Sequence, residues 1–367
     1  MPAQKPRVAL VCDWLTTIGG AERVLLAIHE MFPDAPIYTS QYDEKGINWF
    51  KKATVKTGWM QPLPSSGRRF FAPLRSRFFR KLDLSSYDLV ISVTGAEAKG
   101  INTGKAKHIC YCHVPTQYYW QMYDDYIKNP GFGFFDPVAR VGLKALIKPL
   151  RRRDLEFAQK PDQFVTISQY AAEQIKKYYH RDSVIIAPPV NVQKFTNKST
   201  KKRQGFITTS RQVTWKRLDL AVKACLETSQ HLTLIGDGAE HANLVKIANG
   251  SPLIKFIPTS GQTTLKKHLQ KSAAFIFPSL EPFGIAPIEA LASGCPVIAY
   301  DRGGSRDFIK DGQNGVMFSR QSTPSLVKAI QKFQKLEFDP ATVAQSATKF
   351  NKERFQKQMQ ELIDSIL

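Results

Sequence analysis

Short, unbroken runs of β-branched and aromatic residues, each followed by a segment of helical periodicity, constrain this chain more than any other feature. RVALVCDWL, DLVISVTG, HICYCHV, QFVTISQ and SVIIAPP lie in the first half, and FITTSR, HLTLIGDG, LIKFIP, AFIFPS and PVIAYD in the second. These runs are apolar throughout instead of alternating, the pattern of parallel strands covered on both faces. The expected fold class is therefore α/β with doubly wound parallel sheets. The pattern restarts after the proline-marked crossing APPVNVQKF and the charged, turn-rich TNKSTKKRQ. A length of 367 residues suits two domains better than one core. The expectation is two Rossmann-like domains facing across a cleft, 1–187 and 188–349. The closing segment 350–367, apolar at Phe350, Phe355, Met359, Leu362, Ile363 and Ile366, reads as a helix packing back on the first domain.

Composition narrows the class. No run of about 18 apolar residues occurs, so no membrane-spanning helix is expected. The opening residues enter a strand pattern without a signal-peptide core, so the expected location is the cytoplasm, peripherally at the inner face of the cell membrane. Five cysteines, odd in number and scattered, argue against a disulfide framework. Cys110-Tyr-Cys112-His113 lacks the second ligand pair of a zinc site. A net charge of +21 calls for an anionic partner, whether nucleic acid, an acidic membrane surface or phosphorylated substrates.

In open α/β sheets ligands bind at the carboxyl ends of the strands, beside helix N-termini, so the strand-to-helix junctions carry the function. At CDWLTTIGGAERV, Gly19-Gly20 suit a tight turn with close backbone approach ahead of a helix from about Ala21, although the G-x-G-x-x-G fingerprint is absent. At HICYCHVPTQYYW, His113 sets an imidazole at a strand's carboxyl edge. At SRQVTWKRLDLAVKA, Arg211, Lys216 and Arg217 converge near the start of a helix, an arrangement that neutralises a diphosphate, or simply a solvated basic face. LTLIGDGAE offers a second glycine turn, Gly236-Asp237-Gly238. In EPFGIAPIEALASGCPVIAYDRGG, Glu281 sits in a loop, Phe283-Gly284-Ile285 present backbone amides, and Pro287 opens a helix with Glu289 on its first turn. Carboxylates so spaced can take the hydroxyls of two sugars in one ligand; the competing reading makes Glu289 a helix-dipole carboxylate and Glu281 a surface residue.

Taken together, these motifs resemble the retaining glycosyltransferases of family 4, with the GT-B fold, over nearly the whole chain. YCHVPTQYYW and SRQVTWKRLDLAVKA look most like the mannosyltransferases that build bacterial O-antigen and related surface polysaccharides. The resemblance implies that Arg211 and Lys216 hold the donor diphosphate, Glu281 binds donor-sugar hydroxyls and Glu289 the ribose. It further implies that Phe283, Gly284 and Ile285 face phosphate and sugar, Gly19, Gly20 and Gly236 line the donor site, and His113 contacts the sugar. Pro258 and Arg217 depart from the pattern, each standing where glycine is usual. The implied donor is GDP-mannose, or another nucleotide-sugar such as a UDP-sugar, with no metal cofactor: Asp124-Asp125 is not an Asp-x-Asp motif. A glycosidase-type carboxylate pair is set aside, because both glutamates are assigned to the donor. A sugar-nucleotide epimerase of the same fold is the weaker alternative.

GRRFFAPLRSRFFRKLDL places Arg68, Arg69, Arg75, Arg77, Arg80 and Lys81 among Phe70, Phe71, Phe78 and Phe79, with no acid before Asp83. Lys144, Lys148 and Arg151-Arg152-Arg153 form a second basic cluster. Basic residues interleaved with aromatics suit an anionic membrane surface, where a polyprenyl-diphosphate-linked saccharide acceptor would be met. The bland reading places these phenylalanines in a core. Nucleic-acid binding is excluded, because it leaves the Glu281–Glu289 motif without a purpose.

Overall fold

The structure, a computed structural model, describes residues 6–64, 71–128, 133, 136–196, 203–259 and 261–367. Its chain divides into two compact units, Met1–Pro189 with Phe355–Leu367, and Val190–Arg354.

In the first unit the described strands are β1 (Val8–Cys12), β2 (Ile37–Thr39), β3 (Val55–Lys56), β4 (Leu89–Thr94), β5 (Lys107–Cys112), β6 (Gln163–Thr166) and β7 (Val184–Ile185). They form a parallel sheet in the order β3-β2-β1-β4-β5-β6-β7. The chain starts in the middle, builds to one edge, then reverses at the β1/β4 boundary, the position where such sheets open a crevice. β1 and β4 are fully buried, as their unbroken apolar runs require. The helices are α1 (Gly20–Met31), α2 (Ala72–Lys81), α3 (Tyr123–Lys128), α4 (Asp136–Ala158) and α5 (Gln169–Tyr179). Ser168 caps α5 by accepting from the Ala171 amide at 3.0 Å.

The second unit repeats the plan with β8 (Phe206–Thr209), β9 (Leu232–Ile235), β10 (Ile254–Ile257), β11 (Ala274–Phe277), β12 (Val297–Tyr300) and β13 (Gly315–Phe318). The order β10-β9-β8-β11-β12-β13 is again parallel and reverses between β8 and β11. Its helices are α6 (Val192–Phe195), α7 (Leu218–Glu227), α8 (His241–Ala248), α9 (Gln262–Lys271), α10 (Ile285–Ala292), α11 (Thr323–Phe333) and α12 (Pro340–Gln345). One face of the sheet carries a core built on Leu218, Ala221, Val222, Leu234, Ile276, Ile298 and Ile330.

The last helix, α13 (Lys352–Ile366), buries Phe355, Met359 and Ile363. Within the first unit, Phe355 meets Tyr111 edge-on at 5.9 Å and Gln356 Nε2 donates to Ala27 O at 2.9 Å.

Burial revises the basic-aromatic segment. Arg68, Arg69 and Phe70 lie outside the described residues. Arg75, Phe78 and Phe79 do not belong to an exposed face: all three are buried. Phe78 and Phe79 pack edge-on at 5.0 Å in the core beneath β1 and β4. Arg75, 1% exposed, donates from Nε to Glu97 Oε2 at 2.9 Å and lies over the Trp14 ring. A guanidinium cannot be buried without such partners. Phe71 is half-buried, and Arg77, Arg80 and Lys81 remain exposed.

Candidate functional site

The second unit assembles most of the singled-out residues around its sheet reversal. After β8 the chain runs through Ser210-Arg211-Gln212, and the β9 turn presses against it. Gly236 has φ +134°, and a Cβ there would stand 2.1 Å from Ser210 O, so only glycine fits. Gln212, buried, donates from its backbone to Asp237 O and from Nε2 to Gly236 O, both at 2.8 Å. The Gly236-Asp237-Gly238 turn thus braces the loop that presents Arg211 to solvent.

Thr214–Lys216 form a single 3-10 turn, and Arg217 follows in the left-handed region at φ +52°. Arg217 therefore does not open the helix as a helical residue. It makes the bend before α7 at a position that costs a side-chain-bearing residue about 1 kcal/mol, which explains why glycine is usual there. The bend leaves Lys216, 9% exposed, with its Nζ 2.5 Å from Glu281 Oε1 and 4.3 Å from the Trp215 ring centre. Ser279, also buried, donates to the same Oε1 at 2.7 Å. Burial pulls the Lys216 pKa below its ordinary value and outweighs the opposing attraction of Glu281, while Arg211 pushes in the same direction as burial. Lys216 and Arg211 are thus close enough to repel, and the pair Lys216–Glu281 joins the loop after β8 to the loop after β11. These are the two strands at the reversal.

The Glu281 loop is clamped from β12. Gly304 N donates to Glu281 O at 2.8 Å, and a Cβ on Gly303 would stand 2.4 Å from the same oxygen. Phe283 turns its ring inward against Phe308 and Phe350. Gly284, at φ +146°, then enters α10, whose first-turn amides have no acceptor within the helix. α10 begins at Ile285, two residues ahead of Pro287, so the buried Glu289 sits just past the first turn.

The first unit holds the remaining candidates. His113 follows β5, its amide donating to Thr94 O at 2.9 Å. Its ring packs edge-on against Tyr111, and Nε2 is buried without a hydrogen-bond partner. Burial pushes its pKa down to about 4, so the imidazole is neutral. Gly19 and Gly20 make no left-handed turn: Gly19 is extended at φ −151° and Gly20 is the first residue of α1. A Cβ on Gly19 would lie 2.8 Å from Glu22 Oε2, the end of a side chain that can move aside, so neither backbone conformation nor space demands glycine there.

Sequence reading passed over several residues that shape these loops. Ser279 and Gly303-Gly304 fix Glu281, and Trp215 lies along Lys216; the signal for the glycines was the RGG that ends the Glu281 motif. In the first unit Asp13 closes the β1/β4 reversal, accepting from Thr94 Oγ1 at 2.8 Å, Gly95 N at 3.0 Å and Ala98 N at 2.8 Å. An acid directly after a buried strand was its only mark.

This arrangement, a buried cation facing a fixed carboxylate with a second cation and an open helix start beside it, suits an anionic ligand that also carries hydroxyls. Residues 190–353 match the family described as glycosyl transferases group 1. The described second unit and that match coincide almost end to end. Among curated proteins, the chain is 30% identical over 159 residues to the GtfA subunit of the UDP-N-acetylglucosamine–peptide N-acetylglucosaminyltransferase of Streptococcus pneumoniae serotype 4, covering 41% of this chain and 32% of the relative. It is 26% identical over 171 residues to the amylovoran biosynthesis glycosyltransferase AmsK of Erwinia amylovora, covering 41% of this chain and 42% of that one. The chain thus spans about a third to two fifths of these two relatives' length.

Likeness of fold extends over both units. The lipopolysaccharide outer core galactosyltransferase WaaB superposes with a TM-score of 0.72 at 16% identity, covering 98% of this chain and 99% of that one. Anabaena HepE in complex with UDP gives 0.70 at 17% identity, covering 98% and 100%. With two parallel-sheet Rossmann-like units and these neighbours, the fold is GT-B. Among the described residues no cluster of three or more His, Cys, Asp and Glu side chains is placed to hold a metal, and no helix is long and apolar enough to cross a membrane.

Proposed function

We propose that this protein is a retaining glycosyltransferase that moves a hexose from a nucleoside-diphosphate sugar to a lipid-linked saccharide acceptor, working in the cytoplasm at an anionic membrane surface. The observation that carries the reading is the Lys216–Glu281 pair at the β8/β11 reversal, with Arg211 beside it, inside the stretch that matches the group 1 family. Lys216 exchanges its carboxylate for the donor diphosphate, and Arg211 adds a second cation. Both then oppose the negative charge that grows on the leaving group, so that departure needs no proton from the protein. The bond from the anomeric carbon to the diphosphate oxygen breaks as the acceptor hydroxyl oxygen bonds to that carbon. The acceptor's proton passes to the departing diphosphate. Glu281, fixed through Oε1 by Ser279, takes donor-sugar hydroxyls, Glu289 takes the ribose, and neutral His113 contacts the sugar.

For the donor, the motif resemblance favours GDP-mannose. A uridine donor is the second reading, supported by the UDP-N-acetylglucosamine in the GtfA relative's name and the UDP bound to HepE. The test incubates purified protein and EDTA separately with GDP-mannose, UDP-glucose, UDP-galactose and UDP-N-acetylglucosamine, following nucleotide release and thermal stabilisation. Response to the guanosine nucleotide alone supports mannosyl transfer. Preference for a uridine nucleotide replaces the donor, and no response from folded protein overturns the transferase.

A further inference from the structure

The outward face of α4 carries apolar side chains where solvent-facing residues ordinarily stand. Helical spacing puts Leu143, Ile147, Leu150, Asp154 and Phe157 toward the protein, where Ile147 and Phe157 are buried. Arg151 also faces inward, sandwiched between Trp120 and Tyr123 with its Nε donating to Tyr119 O at 2.7 Å. On the opposite side Val138 is 71% exposed and Val141 68%, flanked by exposed Lys144 and Lys148, while Leu146, beside the inward row, is 48% exposed. Val138, Val141, Ala145, Lys148 and Arg152 follow one another at intervals of three or four, a single stripe.

α2 lies beside it. Ala72 of α2 and Ile147 of α4 share one buried cluster, and both helices pack on the turn Ala98–Gly100. With Arg75, Phe78 and Phe79 turned inward, α2 shows solvent Leu74, Arg77, Arg80 and Lys81, and its sequence contains no acid. Glu156, paired with Arg152 at 3.2 Å, is the exposed acid on α4. Exposed Asp124 and Asp125 stand on α3, which packs against α4, but exposed Arg77, Arg80, Lys81, Lys144, Lys148 and Arg152 outnumber these acids and Glu156, so the surface is basic and apolar together. A protein groove would leave the surplus of cations unmatched, whereas an anionic bilayer offers phosphates to lysine and arginine heads and acyl boundary to valines and leucines.

We propose that α4, with the exposed basic residues of α2, docks the first unit on an anionic lipid surface, α4 lying in the interface plane with Val138 and Val141 inserted. The proposal sharpens, and rests on, the membrane-facing part of the function proposed above. Vesicle binding needs no donor and donor binding needs no vesicle, so either reading can fail alone.

The experiment uses the full chain and sedimentation with vesicles of phosphatidylcholine, with or without phosphatidylglycerol, at physiological salt. Wild-type protein is expected to bind only the anionic vesicles. Lys144→Gln/Lys148→Gln should weaken that binding by roughly twenty-five-fold, at about fivefold per charge. Val138→Ser/Val141→Ser, which keeps every charge, should weaken it by about tenfold. Lys328→Gln/Lys335→Gln, an equal charge loss on exposed positions of the second unit, should leave it near wild type. A dye on Val141→Cys should shift to the blue with anionic vesicles, the native cysteines being buried. Equal losses from both lysine pairs with none from the valine pair would reduce the binding to diffuse attraction of a basic chain and overturn the proposal. Binding to nucleic acid but not to anionic vesicles would also overturn it.

Discussion

Glu281→Gln isolates the interaction on which the proposed site rests. The amide keeps the shape and an oxygen for Ser279 but removes the charge facing Lys216. At 2.5 Å and an effective dielectric near 20, the attraction is on the order of 6 kcal/mol before desolvation. Desolvation of Lys216 more than offsets it, as the lowered pKa requires. Removing the carboxylate as well strands the ammonium at a further cost of about 1–3 kcal/mol. For a unit of this size each kcal/mol moves Tm by about 2–4 °C, so the variant should melt about 2–12 °C below wild type. A nucleoside diphosphate returns an anion to Lys216, and its stabilisation should be larger in the variant than in wild type, where it must first displace Glu281. Differential scanning fluorimetry with and without GDP and UDP reads both quantities. A variant melting at or above wild type would refute the idea that Glu281 holds Lys216, and smaller nucleotide stabilisation in the variant would refute Lys216 as the phosphate's partner.

Arg75→Met should strand the buried Glu97 carboxylate and destabilise the first unit by about 3–5 kcal/mol, read by urea unfolding; a loss under about 1 kcal/mol would mean that the pair does not hold α2. Acid should weaken the first unit, because burial holds the His108 pKa at about 3 and the His113 pKa at about 4, below the ordinary 6.5. The unfolded chain then takes up protons that the native one refuses, so stability is full above pH 6.5 and falls toward pH 4. Each histidine contributes up to about 1.4 kcal/mol per pH unit, and His113→Asn should flatten the slope by one proton's worth. Gly236→Ala should cost about 3 kcal/mol or more and remove nucleotide stabilisation, since the added methyl drives into the loop that carries Arg211.

The sequence by itself determined what depends on near neighbours along the chain. Unbroken Val and Ile runs marked the fully buried central strands, and glycine, proline and charge at the junctions marked Arg211, Lys216, Glu281 and Gly284. β2, β3 and β13 escaped, although β7 with two residues and β8–β12 with four each are no longer and were legible. Gly19-Gly20 looked like a turn because composition reports permitted backbone states, not the one adopted. The basic-aromatic segment could not be sorted at all from its own residues: Arg75 is buried because Glu97, 22 positions on, comes to meet it, while Arg77, two residues along, meets no such carboxylate among the described residues and stays in water. Likewise, neither Lys216 nor Glu281 announces the other across 65 residues; the parallel pairing of β8 with β11 brings their loops together. Periodicity and turn chemistry are local, so they can be read from a chain. Burial and charge pairing belong to whatever folding places alongside, and only the tertiary structure decides that.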